Sequence, residues 1–267
     1  MIRLIKIDFR KYFYNRSFWV LTALYFLLIV LVFAGAEGFI NKIMHNAGKN
    51  SPIAIPDFSL YSFPYVWHNL AFLAGFFKIF PALIIIIFIT NEYGYKTIRQ
   101  NVMAGLSRNE FLWSKVIFAF LFSLASAMVL FLMALILGFT HTEHLTSALV
   151  FQKMVFVAAY FVEVFTFSLF ALMVAFLVKK QGLAIGVLAL YFYVIEPLLA
   201  YKMPDEVSKY LPMKTIGRLV DIPNSSLMKL FGVNFKEYVA FSDVLLCLGY
   251  SLLFVLVVKW VLHKSDI

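Results

Sequence analysis

The chain has 267 residues, of which 63% are hydrophobic, 18% aromatic and only 14% charged, against about 45–50% apolar and about 25% charged in soluble domains. So little polar surface cannot cover a soluble fold, so the apolar residues must face lipid, and disordered, collagen-like and disulfide-stapled classes are excluded; the single cysteine, Cys247, lies in an apolar run. The net charge of +9, from 23 basic and 14 acidic residues, is in such a chain first a topology signal.

Residues 2–13 align Ile2, Ile5, Phe9, Tyr12 and Phe13 on one helical face, with Arg3, Lys6 and Arg10 on another. That is the pattern of a helix lying in the membrane interface, here over residues 1–17; a plain basic flank serving only orientation is the alternative. Six apolar runs come next, about Phe18–Ala36, Asn69–Thr90, Leu112–Thr140, Met154–Val178, Leu183–Tyr201 and Ala240–Val261, each near the roughly 20 residues that cross a bilayer as a helix. The third is long enough to tilt or protrude. With the N terminus inside, thirteen basic residues face the cytoplasm against four acids, and nine face the other side against eight. The positive-inside rule therefore places both termini in the cytoplasm. Ala34-Gly35-Ala36 offers a small-residue cleavage site, but the basic leader and the apolar run are both too long for a signal peptide, so the first span is expected to be retained. The expected fold class is an all-α membrane protein, one transmembrane domain over residues 1–267, with six transmembrane helices and an N-terminal interfacial helix.

Glu37–His68, with Pro52, Pro56, Pro64 and five aromatics, reads as an irregular loop resting on the interface. Asn91–Lys115 is more structured than a connection of a few residues would need to be. Thr97–Ala104 reads as a short helix that Gly105 ends. Ser107-Arg108-Asn109-Glu110 is then a capping box that restarts the chain as the third span, with Leu106 and Phe111 placed as a hydrophobic staple. A compact, capped, basic helix between residues 91 and 111 is the form of a docking surface.

The stretch NEYGYKTIRQNVMAGLSRNEFLWSK resembles the signature of type-2 ATP-binding-cassette (ABC) exporter permeases, a Glu, a Gly-Thr pair, a short helix, Ser-Arg, then a Gly-Lys pair. Glu92, Thr97, Ser107, Arg108 and Lys115 match it; Lys96, Leu106 and Ser114 depart from it. The resemblance implies that Glu92, Thr97, Ile98, Arg99, Val102, Met103, Ser107, Arg108 and Lys115 couple the chain to a cytoplasmic ATPase subunit. It also implies that a second permease copy or a paralogue completes the path. No GxxxxGK[ST] loop occurs, so this chain carries no cofactor, and ATP and magnesium would sit on the partner.

Residues 202–239 hold two short helix candidates, Asp205–Val220 and Ser225–Phe231, with Pro223 between them. They resemble the extracytoplasmic re-entrant helices of that family, or else are surface helices without a membrane dip. Three charges fall inside spans: Lys78, Glu163 and Glu196. Lys78 and Glu163 sit at similar depth and can pair, and Pro81 is placed to bend the second span. Either the three charges line a path contacted by substrate, or Lys78 and Glu163 form a structural ion pair while Glu196 snorkels outward. His141-Thr142-Glu143-His144 lacks zinc-site spacing, and Gly182 and Gly186 suit helix packing. Asn224-Ser225-Ser226 formally matches a glycosylation acceptor, and nucleic acid is not an expected partner.

The expected function is a permease subunit of an ATP-driven exporter in a bacterial inner (plasma) membrane, moving a lipid-like molecule or peptide antibiotic and embedded in membrane lipid. A secondary transporter or channel using Lys78, Glu163 and Glu196, and a non-transporting scaffold, are the alternatives.

Overall fold

The computed structural model describes residues 11, 13–48, 59–95, 97, 107–223 and 236–264. Every regular element among them is helical: α1 (Arg16–Gly48), α2 (Val66–Gly75), α3 (Ile79–Gly94), α4 (Arg108–His141), α5 (Ser147–Phe151), α6 (Val155–Val178), α7 (Gln181–Leu190), α8 (Glu196–Lys202), α9 (Asp205–Ser208), α10 (Pro212–Gly217) and α11 (Phe241–Lys264). They make six helices long and apolar enough to cross a membrane: α1, α2–α3, α4, α5–α6, α7–α8 and α11.

The fourth of these is the axis of the bundle. Within its most apolar stretch 67% of residues are buried, against 22% or less in the first, fifth and sixth. Its sequence shows why: α6 is apolar on every face, which suits a helix surrounded by others. The second, third and sixth spans pack around it. Polar side chains then fix the register. Tyr25 and Tyr160 share a hydroxyl–hydroxyl bond of 2.9 Å, Thr166 and Ser251 one of 3.0 Å, and the Trp67 indole donates to the Val150 carbonyl. In α1 the buried residues Tyr25, Ile29 and Phe33 recur every four positions, one stripe of a helix whose other faces are left for lipid.

Two spans are interrupted where a proline removes a backbone donor. A 3₁₀ turn over Phe76–Lys78 joins α2 to α3 just before Pro81, and a π turn over Tyr191–Ile195 joins α7 to α8 just before Pro197. A proline has no N–H for the preceding turn, and the local change of helix type absorbs the loss.

The first helix corrects the expected loop over Glu37–His68, for it continues twelve residues past Ala36 to Gly48, and helix resumes at Val66. The extension is held by contacts that sequence spacing does not reveal. Tyr61 Oη donates to the Phe33 carbonyl and accepts from the Glu37 amide, and Glu37 Oε2 accepts from the Leu60 amide at 3.0 Å. Tyr61, Phe63 and Trp67 are buried in protein instead of resting on the interface. Phe63 lies so close over Gly138 that a Cβ there would meet the ring at 2.4 Å. The helix expected over Asp205–Val220 is also divided, into α9 and α10, because Pro212 holds Leu211 extended (φ −62°, ψ 142°). The second candidate, Ser225–Phe231, lies outside the described residues.

Candidate functional site

One end of the bundle gathers the motif residues. Glu92, in the last turn of α3, and Lys115, in the second turn of α4, form a 2.7 Å ion pair that is almost wholly buried (6% and 1% exposed). Lys11 lies 3.8 Å from the same carboxylate oxygen, and Thr97 Oγ1 donates to the Glu92 carbonyl at 3.3 Å. The Lys115 ammonium also sits 4.9 Å from the centre of the Phe111 ring. Ser107 caps α4 through both bonds of the capping box: its hydroxyl accepts from the Glu110 amide, and the Glu110 carboxylate accepts from the Ser107 amide.

Arg108 reaches a different element. One of its guanidinium nitrogens donates to the carbonyls of Leu262 and His263, both at 2.8 Å. These carbonyls lie in the last described turn of α11, where a helix end leaves backbone acceptors to be satisfied from outside. Lys179, at the left-handed residue (φ 60°) that closes α6, stands over Tyr93 at 5.5 Å. The base of the motif therefore ties together the second, third, fourth and sixth spans. Ile98, Arg99, Val102 and Met103 lie outside the described residues, as do Ile2, Ile5, Phe9 and Tyr12 of the expected interfacial helix. Phe13 is described: it is 61% exposed and meets Trp19 edge-on at 5.1 Å.

The three charges inside spans do not form one cluster. Lys78 Nζ donates to Glu163 Oε1 at 2.7 Å, and both side chains are buried. Glu196 stands apart from them. It does not snorkel: it is 1% exposed and accepts from the Lys214 amide, in the first turn of α10, at 2.7 Å. Burying a carboxylate requires such a donor, and α10 supplies one because a helix start leaves its first amides unbonded. Each carboxylate borders its own cavity. One, about 280 Å³, is bounded by Lys78 and Glu163, and the other, about 430 Å³, by Glu196 and Lys214; Phe192 borders both.

At this second end the acids are largely paired. Lys153 meets Glu237 at 2.7 Å, and Arg218 meets Asp243 at 3.1 Å. His68 bonds the Asp221 carbonyl at 2.7 Å and stacks on Phe156. The α10 segment is folded back on the bundle, with Thr215 and Ile216 fully buried and Cys247 Sγ pointing at the Thr215 carbonyl. Sequence reading missed the roles of Arg108 and Asp243. The available signals were an arginine at the start of one long helix and an acid in the first turn of another, and neither signal specifies its partner.

Six helices long and apolar enough to cross a membrane, a buried ion pair where α3 ends and α4 begins and a second one within the bundle describe a multi-pass membrane protein. A family model described as ABC-2 family transporter protein matches residues 2–267. The chain belongs to that family, which makes it a membrane-spanning permease component, not itself catalytic, that works with an ATP-binding-cassette partner. No curated protein matches it.

Proposed function

We propose that this chain is the permease of an ATP-driven exporter of hydrophobic or amphipathic molecules in a bacterial plasma membrane. Two copies, or one copy and a paralogue, pair with two ATPase subunits that bind ATP and magnesium. The observation that carries the reading is the buried Glu92–Lys115 pair. It clamps the end of α3 to the start of α4, so a push on the connection between these helices moves two spans as one body instead of being absorbed at its base. Arg108 passes the same displacement to α11. The basic end of the bundle faces the cytoplasm, where its excess of lysine and arginine belongs. The described helices α9 and α10 belong to an extracytoplasmic segment. Closure of the ATPases drives the chain between inward-open and outward-open arrangements, a rigid-body transition of the kind packed interfaces allow.

Co-purification tests this. The tagged chain should carry a stoichiometric ATP-binding-cassette subunit, and Arg99→Glu or Met103→Asp should release it while the permease remains folded. A chain that purifies alone and supports ion-gradient-dependent flux in liposomes would overturn the reading. Glu196 is held by α10 and borders a different cavity from the Lys78–Glu163 pair. An ion relay through all three charges therefore has no geometric support.

A further inference from the structure

The cavity beside Lys78 and Glu163 has the chemistry of a ligand site, and a role for it in handling cargo rests on the chain being an exporter permease. It occupies about 280 Å³ between the second, fourth and fifth spans and α10, with Phe72, Phe76, Phe167, Phe192, Tyr193 and Val220 in its wall. The ion pair contributes both spare donors and a spare acceptor. Glu163 is 3% exposed, and its Oε2 has no hydrogen-bond partner among the described residues. Lys78 carries three donors, one of which goes to Glu163, and its ammonium otherwise stands 5.7 and 5.6 Å from the ring centres of Phe167 and Phe192. Opposite the carboxylate is Gly75, where a Cβ would lie 3.2 Å from Oε1 and 3.5 Å from Oε2. With no side chain at Gly75, the Glu163 carboxylate itself forms this part of the cavity wall, its Oε2 buried and without a hydrogen-bond partner among the described residues.

Charge selects the ligand. The pair is neutral as a whole, so a lone cation would be repelled by Lys78 and a lone anion by Glu163. A head carrying both charges satisfies both. Size selects further, because drug-sized ligands fill roughly 300–1,000 Å³ and this cavity is just below that range. It accommodates a headgroup, with an apolar tail leaving past Phe76 and Tyr193, both more than half exposed on the outside of the bundle.

We propose that this cavity binds the head of a zwitterionic amphiphile bearing a primary ammonium. The ammonium donates to Glu163 Oε2, and the adjacent phosphate or carboxylate accepts from Lys78. The rings enclose the methylenes between them and keep water out.

The test uses the full chain in a maltoside detergent, titrated with lysophosphatidylethanolamine, the anionic lysophosphatidylglycerol and the cationic dodecylamine. The zwitterion should bind at least about tenfold more tightly than either singly charged amphiphile. The double variant Lys78→Met/Glu163→Leu removes both charges together, which leaves no orphaned ion and largely preserves folding. It should lose that preference. If the double variant fails to fold, Gly75→Ala takes its place, since it keeps both charges but covers the carboxylate; it should weaken zwitterion binding by about tenfold. Equal affinity for the three amphiphiles overturns the proposal, as does unchanged binding in the folded double variant or, in its absence, in Gly75→Ala. Retention of the ATPase partner is scored on the same preparations. Loss of selectivity with the partner present removes only the headgroup site, whereas absence of the partner removes the exporter reading itself.

Discussion

Glu92 and Lys115 stand 23 positions apart and share one buried pair, so removing either charge takes a close ion-pair partner from the other. Removing one partner of a buried pair costs about 3–5 kcal/mol, whereas replacing both with apolar residues of similar size is often neutral. Glu92→Gln should therefore lower the thermal stability of the chain in detergent by up to that order, because it takes the 2.7 Å ion-pair partner from a lysine that is 1% exposed. Glu92→Leu/Lys115→Met should recover most of the loss. Unfolding followed by intrinsic fluorescence distinguishes the two outcomes. Recovery of stability without recovery of ATPase binding would assign the pair to coupling as well as to folding. Lys78 and Glu163 obey the same arithmetic at mid-span, and each of the two pairs leaves one carboxylate oxygen without a partner among the described residues; the Lys78–Glu163 pair differs in bordering a cavity.

Helix ends decide how the spans are linked. The capping box at Ser107 starts α4 sharply, which fixes where Arg108 emerges, and from there its guanidinium covers the last carbonyls of α11. A cation at a helix C-terminus is favourable on dipole grounds as well. Arg108→Ala should loosen the final turn of α11 by about 1 kcal/mol, seen as roughly fivefold faster amide exchange at His263 and Lys264. Unchanged exchange there would mean that the turn is held by something other than Arg108. The same dependence on helix ends explains Glu196, whose carboxylate is held by the first turn of α10, an element that exists as a separate helix only because Pro212 divides the segment.

At the scale of the whole molecule the question is which face is which. Six crossings return the chain to the side on which it began, and the excess of basic residues in the sequence predicts that this side is cytoplasmic. Cys247 is buried, so an introduced cysteine can be labelled against a low background. Lys202→Cys should react with a membrane-impermeant maleimide in intact cells, and Lys180→Cys should react only after lysis. The opposite pattern would place the motif base outside the cell and remove it from any ATPase. The two positions flank the fifth span, so a single pair of variants decides the orientation of the bundle.

Composition and periodicity were enough to identify a six-span helical membrane protein, because lipid imposes length and apolarity on each crossing independently of its neighbours. The capping box was equally legible, since Ser107 and Glu110 act within one helical turn. The likeness of depth between Lys78 and Glu163 came from counting along two spans. The extension of α1 was not legible: Glu37 and the residues after it look like a loop until Tyr61 and Leu60 fold back to bond them. Nor could sequence show that Tyr61, Phe63 and Trp67 of that loop are core, that Glu196 belongs to α10 or that Arg108 serves α11. Each of these depends on a partner between 18 and 155 residues away, and distance along the chain carries no information about which helix faces will meet. The sequence by itself determined that six stretches of this protein are apolar and long enough to cross a membrane, and it predicts a basic excess on one side. Only the packing of the spans around α6 decided which charges are buried and which are paired.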